Sequence, residues 1–157
     1  MDEARVTDIF NYLRIDETLT TSGQPSVAEL EAAARDGTEV VINLALHDDP
    51  RYSLLDEAGC VASLGMTYVH IPVQFDAPTE ADLHAFFAAM AQHRNKKMLV
   101  HCAANKRVTA FLGLYRVLRQ NWDVERAFAP MTAVWEPNAA WAPFIATMLA
   151  KSVPRRD

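Results

Sequence analysis

The chain has 157 residues, half of them apolar and 22% charged, with 15 Lys and Arg against 20 Asp and Glu for a net charge of −5. That length suits one ordinary domain with a real core, and the composition excludes a disordered chain. Acidic and basic residues are mixed, with no basic stripe for nucleic acid or an anionic membrane surface, and the apolar runs are too short to span a bilayer.

The start, MDEARVTDIFNYLR, lacks a positive segment followed by an apolar stretch and does not read as a secretory signal, so a cytoplasmic location is expected. Thr18 to Thr21 form a short β-prone segment ending in SGQP, a turn signal on Gly23 and Pro25. Ser26 and Glu29 have capping-box spacing and open a helix, which Gly37 closes. TEVVINLAL then reads as a buried parallel strand.

After HDDP, Leu54 to Leu64 predict a second helix with Gly65 as its stop, and MTYVHIPV a third strand. Cys60 lies on that helix as a packing residue, and two cysteines are too few for a disulfide framework. Beyond the loop QFDAP, Thr79 and Asp82 start a helix whose apolar face is Leu83, Phe86, Phe87 and Met90. KKMLVHC is a short strand ending at Cys102, and Val108, Phe111, Leu112, Tyr115 and Leu118 define an amphipathic helix after it. Two more helices are expected, from Asp123 and from Asn138, the latter with Trp141, Phe144, Ile145 and Met148 inward. With no repeat or linker, residues 1–157 are expected to form one α/β domain around a mostly parallel sheet of four to five strands flanked by helices.

Ligands of such sheets bind at the carboxyl ends of the strands, which is where Cys102 falls. Backbone N–H groups of Ala103, Ala104, Asn105, Lys106 and Arg107 can line an anion nest, and the following helix adds partial positive charge. Both effects favour thiolate over thiol at such a position. Arg107 offers a rigid fork of donors to a tetrahedral anion, and Thr109 a hydroxyl to the thiolate or the leaving sulfur. Taken singly, each residue has a bland role: a buried small hydrophobe for Cys102, a solvated charge for Arg107, a hydrogen-bonded core residue for His101, an ordinary first-turn residue for Thr109. Their succession is what points to a functional anion site.

The segment MLVHCAANKRVTAFLGLYRVL resembles the signature of dual-specificity-type cysteine phosphatases: apolar strand, His-Cys, a short turn, Arg, then Ser or Thr. His101 and Cys102 match it directly. Family members usually have five residues between Cys and Arg, whereas four separate Cys102 from Arg107. Asn105 falls where the family has Gly and suits a left-handed backbone position. Tyr115 lies eight residues after Arg107, a spacing found in the family, which places a deletion inside the turn; the ungapped register puts Val108 at the arginine position and Thr109 at the Ser/Thr position. TTSGQPSVAELEAAARDGTEVVINLAL is similar to a poorly characterised bacterial branch of the same family.

The resemblance implies a phosphotyrosine-phosphatase-II-like fold and hydrolysis of a phosphate monoester, from a phosphorylated protein or small molecule, with Cys102 as nucleophile and no metal or cofactor. It also implies an aspartic general acid on the loop preceding the Cys helix-strand unit. Asp76 in IPVQFDAPTE fits that place, with Asp48, Asp49 and then His47 as reserves; a solvated loop aspartate is the bland reading of Asp76. Two alternatives stay open: a phosphate-binding domain without turnover, and rhodanese-like sulfur transfer on Cys102, against which INLALHDD lacks the usual Asp-x-Arg. His47, His70, His84, His93 and His101 have no metal-ligand spacing.

Overall fold

The computed structural model describes residues 3–47 and 53–151. A 3-10 turn at Val6–Asp8 leads into β1 (Leu13–Arg14) and β2 (Leu19–Ser22), followed by α1 (Val27–Arg35), β3 (Val40–Asn43), α2 (Glu57–Ser63) and β4 (Thr67–His70). Then come α3 (Glu80–Gln92), β5 (Met98–His101), α4 (Lys106–Gln120), α5 (Val124–Ala127), α6 (Ala129–Val134) and α7 (Trp141–Ala150). The five strands form the expected mostly parallel sheet in the order β1-β2-β5-β3-β4, with β1 antiparallel to β2.

Local chemistry sets the element ends. Ser26 and Glu29 exchange both capping-box bonds at 2.9 and 3.1 Å, and the Thr79 hydroxyl accepts from the Asp82 amide at 3.1 Å. Three boundaries differ from the sequence expectation. α2 begins at Glu57 rather than Leu54, because Asp56, in a left-handed conformation at φ 56°, caps the Gly59 amide. The single helix expected from Asp123 is two, since Pro130 has no N–H to continue α5 and sits instead in the first turn of α6. α4 begins at Lys106, two residues ahead of Val108. β1 has two residues, too few for any periodic signal.

Alternation along the strands sorts the core into two layers. Val41 and Leu99 face Leu30, Ala33, Val61 and Met66, the layer contributed largely by α1 and α2. Val40, Ile42, Met98 and Val100 face the larger layer built by α3, α4 and α7, where Phe86, Phe111 and Trp141 are fully buried. In the pairing register Ser22, His101, Asn43 and His70, the last residues of the four parallel strands, stand in one row at the carboxyl edge. Among the described residues no helix is long and apolar enough to cross a membrane.

Candidate active site

Cys102 follows β5 directly and is fully buried, on the sheet face toward α3, α4 and α7. The turn after it is fastened from outside. The Ala103 carbonyl accepts from the Gln24 amide at 3.0 Å, and the Ala104 carbonyl accepts from the Asn11 side chain at 3.0 Å. In a trans peptide the N–H points opposite to the C=O, so the Ala104 N–H faces away from Gln24, the sense an anion nest requires. Asn105 adopts the left-handed conformation at φ 65° and is wholly buried; its amide donates to the Asn11 carbonyl at 2.8 Å and to Thr21 Oγ1 at 3.0 Å. The turn also needs Gly23. A Cβ there would lie 2.6 Å from the Ala103 oxygen and 2.8 Å from Phe10 Cδ2.

Arg107, in the first turn of α4, folds inward and is 8% exposed. Its Nη1 donates to the Val73 carbonyl at 2.7 Å and its guanidinium lies 5.8 Å from the Phe75 ring centre. The same segment is held again at Phe75, whose carbonyl accepts from the Trp141 indole at 2.7 Å. Asp76 follows in an exposed turn, and its carboxylate makes no hydrogen bond to a described residue. Lys106 points its ammonium at Phe75 and Trp135, 5.9 and 5.8 Å from their ring centres. The Thr109 hydroxyl donates back to the Asn105 carbonyl at 2.8 Å and accepts from the Trp135 indole at 3.3 Å, so it serves α4 and the α6 end. Asp48 and Asp49 lie outside the described residues. His47 bonds Asn43 Nδ2 at 2.9 Å and stacks on His70, with ring centres 4.5 Å apart.

Beneath the turn, on the α2 face, His101 Nε2 meets Glu57 Oε2 at 2.6 Å, both side chains fully buried. Glu57 Oε1 accepts from the Gln24 amide at 2.7 Å. Burial pushes the Glu57 carboxyl up, but the hydrogen bond and charge of His101, the Gln24 amide and the charge of His47 outweigh it and hold the group below its usual value. The Tyr68 hydroxyl, bonded to Asn43 at 3.0 Å, is pushed far up, first by burial and then by the Glu57 charge. At Cys60, burial, then Glu57, Glu31 and Asp56, push the thiol up, the opposite of what a nucleophile needs. Among the described residues no group of three His, Cys, Asp or Glu side chains is placed to hold a metal ion.

Glu57, Gln24 and Asn11 were not singled out in the sequence. An acidic residue in a helix's first turn is ordinary, and SGQP reads as a turn only; the bonds that give them meaning span 44, 33 and 93 positions.

A family model described as DSP-PTPase phosphatase fused to NAD+ kinase matches residues 8–140. The chain is 34% identical over 106 residues to a beta-lactamase hydrolase-like protein of Xylella fastidiosa (strain Temecula1), a match covering 66% of this chain and 24% of that protein. It thus spans about a quarter of the length of the curated relatives it matches. A DUF442 protein of Shewanella putrefaciens CN-32, described as a candidate phosphatase, superposes with a TM-score of 0.82 at 33% identity, covering 94% of this chain and 96% of that one. PTPMT1 shares the fold at 17% identity, with a TM-score of 0.73 over 89% of this chain and 94% of that one.

Proposed function

The chain belongs to the family described as DSP-PTPase phosphatase fused to NAD+ kinase, and from that premise we propose that it is a cysteine-dependent phosphomonoester hydrolase. The observation that carries this reading is the Cys102 turn at the carboxyl edge of the sheet, with Arg107 drawn inward beside it rather than out to solvent. In the first step the Cys102 thiolate attacks phosphorus, forming the S–P bond as the ester P–O bond breaks. Asp76 gives its proton to the departing oxygen. Backbone N–H groups of residues 103–107 and the free edge of the Arg107 guanidinium hold the equatorial oxygens. In the second step water attacks the thiophosphoryl group, Asp76 accepts the water's proton, the S–P bond breaks, and inorganic phosphate and thiolate are released.

The substrate is a phosphorylated protein or small molecule, and residues 1–157 act as a single phosphatase-like domain. Two free cysteines support a reducing, cytoplasmic setting. Hydrolysis of a small aryl phosphate by wild type and by Cys102→Ser is the test. Wild type should turn over, and Cys102→Ser should lose on the order of 10⁴-fold or more in kcat. No turnover by wild type, or turnover retained by Cys102→Ser, overturns the mechanism. An inactive wild type that still holds tungstate would instead be a phosphate-binding domain.

A further inference from the structure

Glu57 is a fully buried carboxylate to which the hydrolysis above gives no task. Its bonds close a ring around the nucleophile. The backbone runs from His101 through Cys102 to Ala103; the Ala103 carbonyl accepts from the Gln24 amide at 3.0 Å; the Gln24 side chain donates to Glu57 Oε1 at 2.7 Å; and Glu57 Oε2 returns to His101 Nε2 at 2.6 Å. One carboxylate thus grips the residue before Cys102 directly and the residue after it through Gln24.

We propose that Glu57, acting through Gln24 and His101, is a positioning residue for the reaction: a clasp that fixes the backbone on both sides of the thiol. The proposal rests on the phosphatase reading of the same site. Stability alone is a weak reason for such a group, because a buried ion pair is commonly no better than apolar residues of similar volume. Direction is what the polar clasp adds. Each bond sets an orientation that apolar packing leaves free, and near-attack geometry is sensitive to displacements of about 1 Å. Besides Cys60 one turn on in α2, the other titratable groups facing Glu57 are Tyr68 on β4 and His47 after β3, and these two are bonded to Asn43 rather than to the turn.

The test uses the full chain and two readouts, steady-state kinetics with an aryl phosphate below the melting temperature and hydrogen exchange of the residue 24 amide by NMR. Gln24→Glu sets a second carboxylate against Glu57. It should lower kcat about 100-fold with KM changed less than about threefold, and speed exchange at residue 24 about tenfold. Adding Glu57→Gln restores a donor–acceptor pair and should bring both readouts back to within about threefold of wild type. That reciprocal rescue is something a general loss of stability does not produce. Wild-type kcat and exchange in Gln24→Glu, or a folded double variant without recovery, overturns the proposal. Should Gln24→Glu fail to fold, Gln24→Ala decides on the same readouts, since it removes one bond and adds no charge: unchanged kcat and exchange overturn the clasp. If wild type hydrolyses no phosphate monoester, the functional reading fails, and exchange at residue 24 still decides whether the clasp exists.

Discussion

The two faces of the Cys102 turn are held by different chemistry. Toward α2, the contacts are short polar bonds: His101 to Glu57, both fully buried, and Glu57 to the half-buried Gln24 side chain. Toward α4 and α7, the neighbours are Phe75, Trp135 and Trp141, packed ring on ring with centres 5.7 to 6.2 Å apart. The first face spends its hydrogen-bonding capacity inside the protein and leaves the backbone little freedom. The second sets the charged ends of Arg107 and Lys106 near ring faces, with Arg107 Nη1 bonded to the Val73 carbonyl and Asp76 exposed. Orientation is set on one side, and charge is presented on the other.

If that division holds, substitutions on the presenting side should cut turnover and leave the fold intact. Arg107→Lys replaces a planar fork by a point charge; kcat for an aryl phosphate should fall on the order of 10³-fold with an unchanged circular-dichroism spectrum. Asp76→Asn should cost about 10²-fold with an alkyl phosphate and much less with a p-nitrophenyl leaving group, whose departure needs no proton. A series of leaving-group pKa values measures the difference, and equal losses across it would remove Asp76 from the acid's role.

The orienting side should answer in stability and in pH. The folded-state carboxyl of Glu57 is held below its ordinary value of 4.5, so its contribution is present above that pH and disappears as pH falls through the lower folded value. Glu57→Gln should therefore cost about 1–3 kcal/mol near pH 7 by urea titration, with the gap to wild type closing on the acid side below about 4.5. A gap independent of pH would mean that the pair contributes packing alone. Smallest of all, Lys106→Met on the aromatic rim should change KM a few-fold, as expected from about 0.5–1 kcal/mol for a partly exposed cation over rings.

The same division explains what was legible in the sequence. The backbone of the presenting side is local: strand, Cys102, turn, Arg107 and amphipathic helix lie within 23 consecutive residues, 98–120, so periodicity and helix chemistry expose them, whereas the Phe75, Trp135 and Trp141 rings around Arg107 and Lys106 come from elsewhere in the chain. Asn105 was readable too, because left-handed backbone is a property of residue type as much as of context. The orienting side is non-local. Glu57 meets His101 across 44 positions and Asn11 meets Ala104 across 93, and neither residue breaks a local rule that would draw attention to it. Boundaries failed where a single polar side chain or an imino acid decided them, as Asp56 does for α2 and Pro130 for α6.

Gly23 bears on the length of the turn. With no room for even a methyl group between it and the Ala103 oxygen, the Cys102 turn is already seated against the end of β2 at closest approach. A fifth residue inserted between Cys102 and Ala104 would press on the bonds of Ala103 to Gln24 and of Ala104 to Asn11. The four-residue spacing and the SGQP turn are thus two halves of one mould, joined by Asn11. Grafting this turn into another scaffold would require the strand end and its glycine to travel with it.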